Sequence, residues 1–145
     1  MSLFIDTGVF YAVHDRDVSR HSVARDAIEA ASSGEYGRLF TSEYVYDETV
    51  TLVRQRTDRF DAAKRAGDRI RGHNSFPNAF ELLHVTEPLF DRTLETFERY
   101  DDHALSFTDA NTIALVDAYD IDAVLSFDDD FDGLVERFDP ATVSH

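Results

Sequence analysis

The chain has 145 residues, of which 43% are hydrophobic and 12% aromatic, so residues 1–145 are expected to fold as a single domain rather than stay disordered. It has no cysteine, which excludes disulfide frameworks, thiolate zinc sites and cysteine nucleophiles. Its 29 acidic and 14 basic residues give a net charge of −15, and no apolar run is long enough to predict a membrane span.

The N-terminal part of the chain predicts two short strands with a helix between them. Residues 3–6 (LFID) are typical of a short buried strand, and an apolar stretch continues over residues 9–13. Apolar residues recur with helical spacing over 17–31, where a Ser-Ser-Gly sequence ends the pattern. Residues 38–41 (RLFT) predict the second strand.

Two consecutive helices and a third strand follow. Ser42 is placed to cap a helix over 43–56, and a second helix is predicted over 58–71, where a glycine follows it. Residues 81–85 (ELLHV) predict the third strand. A Thr-Glu-Pro sequence then opens a helix over 86–100.

The last part of the chain predicts one more helix and two strands. Ser106 or Thr108 caps a helix that extends to Tyr119. Residues 123–126 (AVLS) predict a fourth strand, and residues 135–138 predict a short fifth one. Strands that alternate with helices favour a parallel sheet. The expected fold is therefore α/β, with a central, mainly parallel sheet of four or five short strands flanked by helices.

The charge composition has two interpretations. Aspartate supplies 20 of the 29 acids, and Lys64 is the only lysine among the 14 bases. This pattern favours a halophilic protein adapted to a high-salt cytoplasm over an acidic surface that avoids nucleic acid. A GC-rich genome would also favour arginine over lysine. Self-repulsion at this charge is expected to weaken the fold at low ionic strength. Because aspartate is so common, only an acid in a setting unsuited to the surface indicates chemistry.

Four acids stand in such settings. Asp6 directly follows the first strand and Asp128 lies two residues after the fourth, so a parallel sheet brings both to its carboxyl edge. Asp109 lies in the first turn of a helix, which the helix dipole alone would favour, and Glu48 is in the middle of a helix and could face water. A carboxylate at the end of a buried strand must be paired, protonated or metal-bound, which makes Asp6 the strongest candidate.

A cluster of carboxylates implies a cation, because neighbouring carboxylates repel and cannot all ionise alone. Carboxylate oxygens suit Mg²⁺ or Mn²⁺, and such ions can activate water for phosphodiester cleavage without a side-chain nucleophile. Three hydroxyls beside the acids, on Thr7, Thr108 and Ser126, could hydrogen-bond a ligand carboxylate or a metal-bound water. Capping and turn formation are the alternative roles for these hydroxyls.

The sequence resembles the PIN-domain ribonucleases, and most of all the VapC-type toxins of toxin–antitoxin pairs, along nearly its whole length. The segments that carry the resemblance are FIDTGVFYA (4–12), DRDVSRHSVARDAIEA (15–30), TSEYVYDETVTLVR (41–54), SFTDANTIAL (106–115) and VLSFDDDF (124–131). The resemblance implies a three-layer PIN-like fold and an Mg²⁺- or Mn²⁺-dependent endoribonuclease. It also implies inhibition by a small antitoxin protein and a homodimer.

The resemblance assigns an acidic metal site to four residues: Asp6, Glu48, Asp109 and Asp128. Asp6 and Asp109 are the residues expected to bind the metal directly. Asp128 is preferred to its neighbours because the acid of the family precedes a phenylalanine by three residues, although Asp130 could take its place.

Half of the 14 basic residues lie between positions 54 and 71, next to the helix that carries Glu48. We therefore expect a basic rim that contacts the RNA backbone. The arginines predicted to form it are Arg54, Arg56, Arg59, Arg65 and Arg69. The alternative is a solvated helical face held by ion pairs one turn apart.

The sequence is compatible with other functions. Asp6 could be the nucleophile of a phosphoaspartyl-type hydrolase, but that class usually has a second acid two residues later, where this chain has Gly8. The domain could also be a non-toxin nuclease of RNA processing, or a non-catalytic RNA-binding or assembly module. The first ten residues (MSLFIDTGVF) are unlike a signal peptide, so a cytoplasmic location is expected.

Overall fold

Five strands form one sheet at the centre of the molecule, whose computed structural model describes residues 1–143. The strands are β1 (Ser2–Ile5), β2 (Arg38–Ser42), β3 (Glu81–Leu83), β4 (Ala123–Leu125) and β5 (Arg137–Phe138). Their order across the sheet is β3-β2-β1-β4-β5, and every neighbouring pair is parallel. The predicted parallel α/β sheet of four or five strands is confirmed.

The central strand β1 sets the position of everything at the edge of the sheet. Phe4 pairs with Phe40 of β2 on one side and with Val124 of β4 on the other. Leu3, Phe4 and Ile5 have no exposed surface. A strand covered on both faces has no polar alternation, which explains the uninterrupted apolar run before Asp6.

Six helices cover the sheet. They are α1 (Thr7–Val13), α2 (His21–Ala31), α3 (Glu43–Thr57), α4 (Phe60–Arg71), α5 (Glu87–Arg99) and α6 (Phe107–Ala118). The chain steps from β1 to β2 to β3 in one direction and then crosses back to β4, so right-handed crossovers put α1–α4 and α5–α6 on opposite faces. Helix α1 packs against α2 and α3, α3 packs against α4, and α5 packs against α6. Within the described range, no helix is long and apolar enough to cross a membrane.

The elements differ from the predicted ones at the start of the chain. The apolar stretch over 9–13 belongs to α1, whose residues are buried all round and so show no helical periodicity. Helix α2 begins at His21 rather than at Asp17, because the side chain of Asp15 accepts a hydrogen bond from the Asp17 backbone N–H (3.1 Å). This turn delays the helix and leaves a loop that borders the site described below.

Two later boundaries also shift. Helix α4 starts at Phe60 rather than at 58, because Asp58 adopts a left-handed conformation (φ 54°) that ends α3. The third strand is shorter than predicted and ends at Leu83. Its continuation is held by a side chain instead: the carboxylate of Glu43, at the start of α3, accepts a hydrogen bond from the Val85 backbone N–H.

Candidate active site

A cleft of about 890 Å³ opens at the carboxyl edge of the sheet, where β1 and β4 end side by side. All four predicted acids line it: Asp6, Glu48, Asp109 and Asp128. They come from four separate segments of the chain, so only the fold brings them together. Their roles as metal ligands stay a prediction.

Asp6 is the most buried of these acids, with 6% of its surface exposed. Its backbone N–H donates a hydrogen bond to the Leu125 carbonyl (3.1 Å), which ties the end of β1 to the end of β4. The Ser126 hydroxyl donates to Asp6 Oδ2 (2.7 Å). Burial raises the pKa of Asp6 to about 7, and the Ser126 hydrogen bond only partly opposes it, while the charges of Asp109 and Glu48 add to the rise.

Asp109 is fixed by a capping box at the start of α6. The Ser106 hydroxyl accepts from the Asp109 backbone N–H, and Asp109 Oδ2 accepts from the Ser106 backbone N–H, both at 3.0 Å. Burial raises the pKa of Asp109, as do the charges of Asp128 and Glu48. Ser106, rather than Thr108, is therefore the cap, and it also lines the cleft.

Asp128 is joined to Asp6 through one hydroxyl group. Ser126 has no exposed surface, and its Oγ accepts from the Asp128 backbone N–H (2.9 Å) while it donates to Asp6. Asp128 Oδ1 accepts from the Asp130 backbone N–H (2.9 Å). The turn thus places Asp128 and Asp129 along the cleft, whereas Asp130 is exposed and does not line it. One carboxylate oxygen from each of residues 128–130 lies within 4.8 Å of the oxygens from the other two.

The predicted hydroxyls have different positions. Thr7 is buried and lines the cleft, and its Oγ1 has no hydrogen-bond partner among the described residues. Thr108 is half-buried and lies off the cleft, so the structure gives no support to its predicted role beside the acids. Ser106 takes that place instead. A buried hydroxyl without a partner needs one, and a metal-bound water beside the carboxylates would supply it.

The donor set of the cleft fits a hard divalent cation. Carboxylate oxygens and water are the ligands that Mg²⁺ and Mn²⁺ prefer. The raised pKa values of Asp6 and Asp109 express the cost of holding these charges together in a buried place, which a cation would offset.

Two arginines border the acids. Arg56 lies over the Tyr11 ring, 4.8 Å from its centroid, and the Tyr11 hydroxyl donates to Asp15. Arg20 lies over the Phe127 ring at 4.7 Å. The two arginines and the two aromatic rings line the cleft, whereas Asp15 does not. Arg56 was predicted from the basic segment, but Arg20 was not, because a residue in the loop before α2 carries no local signal of its contact with Phe127.

The other predicted rim arginines do not line the cleft. Arg54 pairs with Asp58 (3.2 Å), one turn later in the chain, and Arg59 pairs with Asp61 (3.1 Å). Arg65 and Arg69 face a separate cavity, described below. For Arg54 and Arg59, the alternative of a solvated, ion-paired helical face therefore describes the structure better.

The chain matches a known protein family over most of its length. The PIN domain model matches residues 3–136. The chain belongs to the PIN domain family. The PIN domain is 28% identical over 136 residues to a Mycobacterium tuberculosis protein named 23S rRNA-specific endonuclease VapC20, covering 92% of this chain and 96% of that protein.

Two further similarities support this relationship. The PIN domain is 25% identical over 111 residues to the VapC ribonuclease of Archaeoglobus fulgidus, covering 76% of this chain and 67% of the relative. The crystal structure of Mycobacterium tuberculosis VapC20, described as a sarcin-ricin loop cleaving toxin, matches with a TM-score of 0.74 at 28% identity, covering 89% of this chain and 92% of that one. The resemblance to VapC-type PIN domains is confirmed.

The Ser126 hydroxyl offers a direct test of how the acids are held. In Ser126→Ala, Asp6 loses its donor and the Asp128 backbone N–H loses its acceptor. We expect Mn²⁺ affinity to fall by about 10- to 100-fold. Isothermal titration calorimetry measures this, with Ser19→Ala, which removes an exposed hydroxyl from the same cleft, as the control. Equal affinities in the two variants would contradict the role given to Ser126.

Proposed function

We propose that this PIN domain is a metal-dependent endoribonuclease, which cleaves RNA phosphodiester bonds with a metal-activated water. The observation that carries the proposal is the convergence of four acids on one cleft, with Asp6 buried at the end of the central strand. The relatives named as ribonucleases and endonucleases support the same activity.

Mg²⁺ or Mn²⁺ would be held by Asp6 and Asp109, with Glu48 and Asp128 completing the acidic site. Such an ion, when bound, lowers the pKa of water and stabilises developing negative charge. Ser126 keeps the Asp6 carboxylate and the Asp128 backbone in fixed relation, and the capping box orients Asp109.

The rim residues supply positive charge for the substrate. Arg20 and Arg56 are each stacked on an aromatic ring, which limits the freedom of their long side chains and leaves their N–H groups for phosphate oxygens. Thr7 contributes a buried hydroxyl that can bond a water beside the carboxylates. No cysteine is needed for this chemistry, since water is the nucleophile.

The proposal extends to the biological setting. The VapC names of the relatives, one of them described as a toxin, support a toxin restrained by a small antitoxin protein. A cytoplasmic location is proposed with it. A homodimer is also proposed. Phe60 at the start of α4 is 68% exposed, and Phe90, Leu94 and Phe97 of α5 are also exposed. The exposed apolar side chains of α4 and α5 are therefore candidates for a protein contact.

Mn²⁺ binding tests the central element of this proposal. We expect the wild type, titrated calorimetrically in molar KCl, to bind Mn²⁺ with a dissociation constant between micromolar and millimolar. Asp6→Asn and Asp109→Asn should both lose this binding, because each removes an oxygen ligand from one site. High salt screens the repulsion that follows from the net charge of −15, so that each variant is folded when it is measured.

Asp26→Asn is the matched control, since it removes an exposed aspartate of α2 that does not line the cleft. Its Mn²⁺ affinity should equal that of the wild type. A folded wild type that binds no Mn²⁺ would exclude the proposed mechanism and favour a non-catalytic RNA-binding or assembly module.

A further inference from the structure

A second cavity, of about 970 Å³, lies between α1, α2 and α4 and is rich in arginine. We call it the arginine groove, defined by six basic residues: Arg16, Arg25, Arg56, Arg59, Arg65 and Arg69. Four acids line it as well, so that bases exceed acids here although the whole chain has 29 acids and 14 bases. Such an inversion of the overall charge marks the groove as a place for an anion.

Arg69 has an unusual partner in this groove. Its Nε donates a hydrogen bond to His14 Nε2 (3.0 Å), and within residues 1–143 no carboxylate oxygen lies within 4.0 Å of its guanidinium. Burial, reinforced by the positive charges of Arg69 and Arg65, lowers the pKa of His14 to about 3, so the ring is neutral. A neutral imidazole orients the guanidinium and leaves its charge uncompensated, which a carboxylate would not do.

The neighbours of Arg69 increase this excess of positive charge. Arg65 and Arg69 both lie over the Phe76 ring, at 5.3 and 4.6 Å from its centroid. The pKa of Arg69 is lowered by burial and then by the charges of Arg65 and Arg25. Glu29 is the acid that opposes this effect, but it forms no ion pair within 4.0 Å in the described part of the chain.

The arginine groove and the acidic cleft share one lining residue. Arg56 lines both cavities, and its stacking on Tyr11 fixes it at their junction. A strand with one phosphate at the acids therefore meets Arg56 first and the other arginines next. An acidic protein segment could also suit the arginines, but the connection to a cleft suited to phosphodiester cleavage favours a nucleic-acid strand.

We propose that the arginine groove is a second phosphate-binding site, which holds the RNA backbone beside the scissile bond through Arg25, Arg65 and Arg69. His14 is a positioning residue that orients Arg69 without neutralising it. Guanidinium groups bind phosphate oxygens through two parallel N–H bonds, so three convergent arginines can hold more than one phosphate. RNA as the ligand rests on the proposed function, whereas the anion site rests on the geometry of the groove.

The test measures binding of a fluorescent single-stranded RNA of about 12 nucleotides, the length scale of such sites. All proteins carry Asp6→Asn, so that the RNA stays intact. We expect Arg25→Gln/Arg65→Gln to weaken binding at least about tenfold and to lower the slope of log affinity against log salt by about 1.4, from two lost phosphate contacts. Arg92→Gln/Arg99→Gln, which removes two exposed arginines from the distant α5, should change neither quantity.

A pair of substitutions at His14 tests the positioning role without removing an arginine. His14→Asp keeps an acceptor for Arg69 but adds a negative charge, so it should weaken RNA binding as much as the loss of one arginine. His14→Gln keeps a neutral acceptor and should preserve the affinity. Thermal unfolding of both variants checks that they are folded, and equal RNA affinities in the two would overturn the role of His14.

The remaining outcomes separate this proposal from the catalytic one. If wild-type Mn²⁺ binding is present and the Arg25/Arg65 variant binds RNA normally, the groove proposal fails and the proposed function stands. If that variant loses RNA binding while the wild type binds no Mn²⁺, the groove proposal stands and the catalytic one fails. A variant that loses affinity only for a glutamate-rich peptide would assign the groove to an acidic protein segment and overturn the proposal.

Discussion

Replacing Asp6 with asparagine lowers the rate of RNA cleavage by at least about 10³-fold, if the acids hold the catalytic ion. Asparagine keeps the shape of the side chain and the contact with Ser126, but it removes the negative charge that binds the cation. Loss of metal-ion catalysis costs several kcal/mol of transition-state stabilisation, and each 1.36 kcal/mol is a factor of ten in rate. The measurement is the initial rate of cleavage of a labelled RNA with Mn²⁺ in excess.

The matched control is Asp26→Asn, a change of the same chemistry at an exposed residue away from the cleft. Its rate should stay within about twofold of the wild type, as for a surface substitution away from the site. Asp128→Asn should behave like Asp6→Asn. Full activity in Asp6→Asn would remove Asp6 from the mechanism, and a loss in Asp130→Asn but not in Asp128→Asn would move the fourth ligand to the exposed turn.

Without metal, the stability of the wild type falls as the pH rises from about 4 to about 7 because of Asp6. Its pKa is about 7 in the folded protein, against an ordinary value of 3.8 for an exposed aspartate, so between these values the folded state binds more protons than the unfolded state. Stability decreases with pH wherever the folded state holds the extra proton, and it levels off above the folded pKa. At 1.36 kcal/mol for each pKa unit, Asp6 accounts for a loss of about 4 kcal/mol.

Urea unfolding in EDTA at constant KCl, from about pH 4 to pH 8, measures this effect. The difference in free energy of unfolding between Asp6→Asn and the wild type isolates Asp6, because the other acids are common to both proteins. The variant should become increasingly more stable than the wild type as the pH rises to about 7. Mn²⁺ should restore the stability of the wild type, because it binds only the folded state. For the exposed control Asp26→Asn, the free energy of unfolding should change with pH as it does in the wild type. The same parallel curves for Asp6→Asn would show that the buried Asp6 carboxylate does not destabilise the fold.

The two experiments support each other. Because Asp6→Asn is expected to be at least as stable as the metal-free wild type at neutral pH, a loss of cleavage in that variant cannot come from unfolding. An acid kept at the cost of stability is typical of a functional site.

The features of the site that the sequence predicts are those that depend on short segments of the chain. A carboxylate at the end of an apolar strand is conspicuous, and strands alternating with helices place Asp6 and Asp128 at one edge of a parallel sheet. Both features are properties of short segments. The same kind of information located Arg56 in the basic segment that follows Glu48.

What the sequence does not predict depends on contacts between distant segments. Helix α1 is buried on every side, so it has no periodicity to recognise. The turn after β4 places Asp129 as well as Asp128 along the cleft and leaves Asp130 outside it, which residue types alone do not predict. The stacking of Arg20 on Phe127 and the bond from Arg69 to His14 join residues far apart in the chain, and no local pattern encodes them.

The anchoring of Asp6 to the central strand affects how the protein loses activity. Backbone amides in β1 should be among the slowest to exchange with deuterium, since releasing them requires the sheet itself to open. Asp6 follows this strand and donates its own amide proton to Leu125, so local breathing of the outer helices leaves the carboxylate in place. Loss of the proposed metal binding should therefore coincide with global unfolding of the sheet.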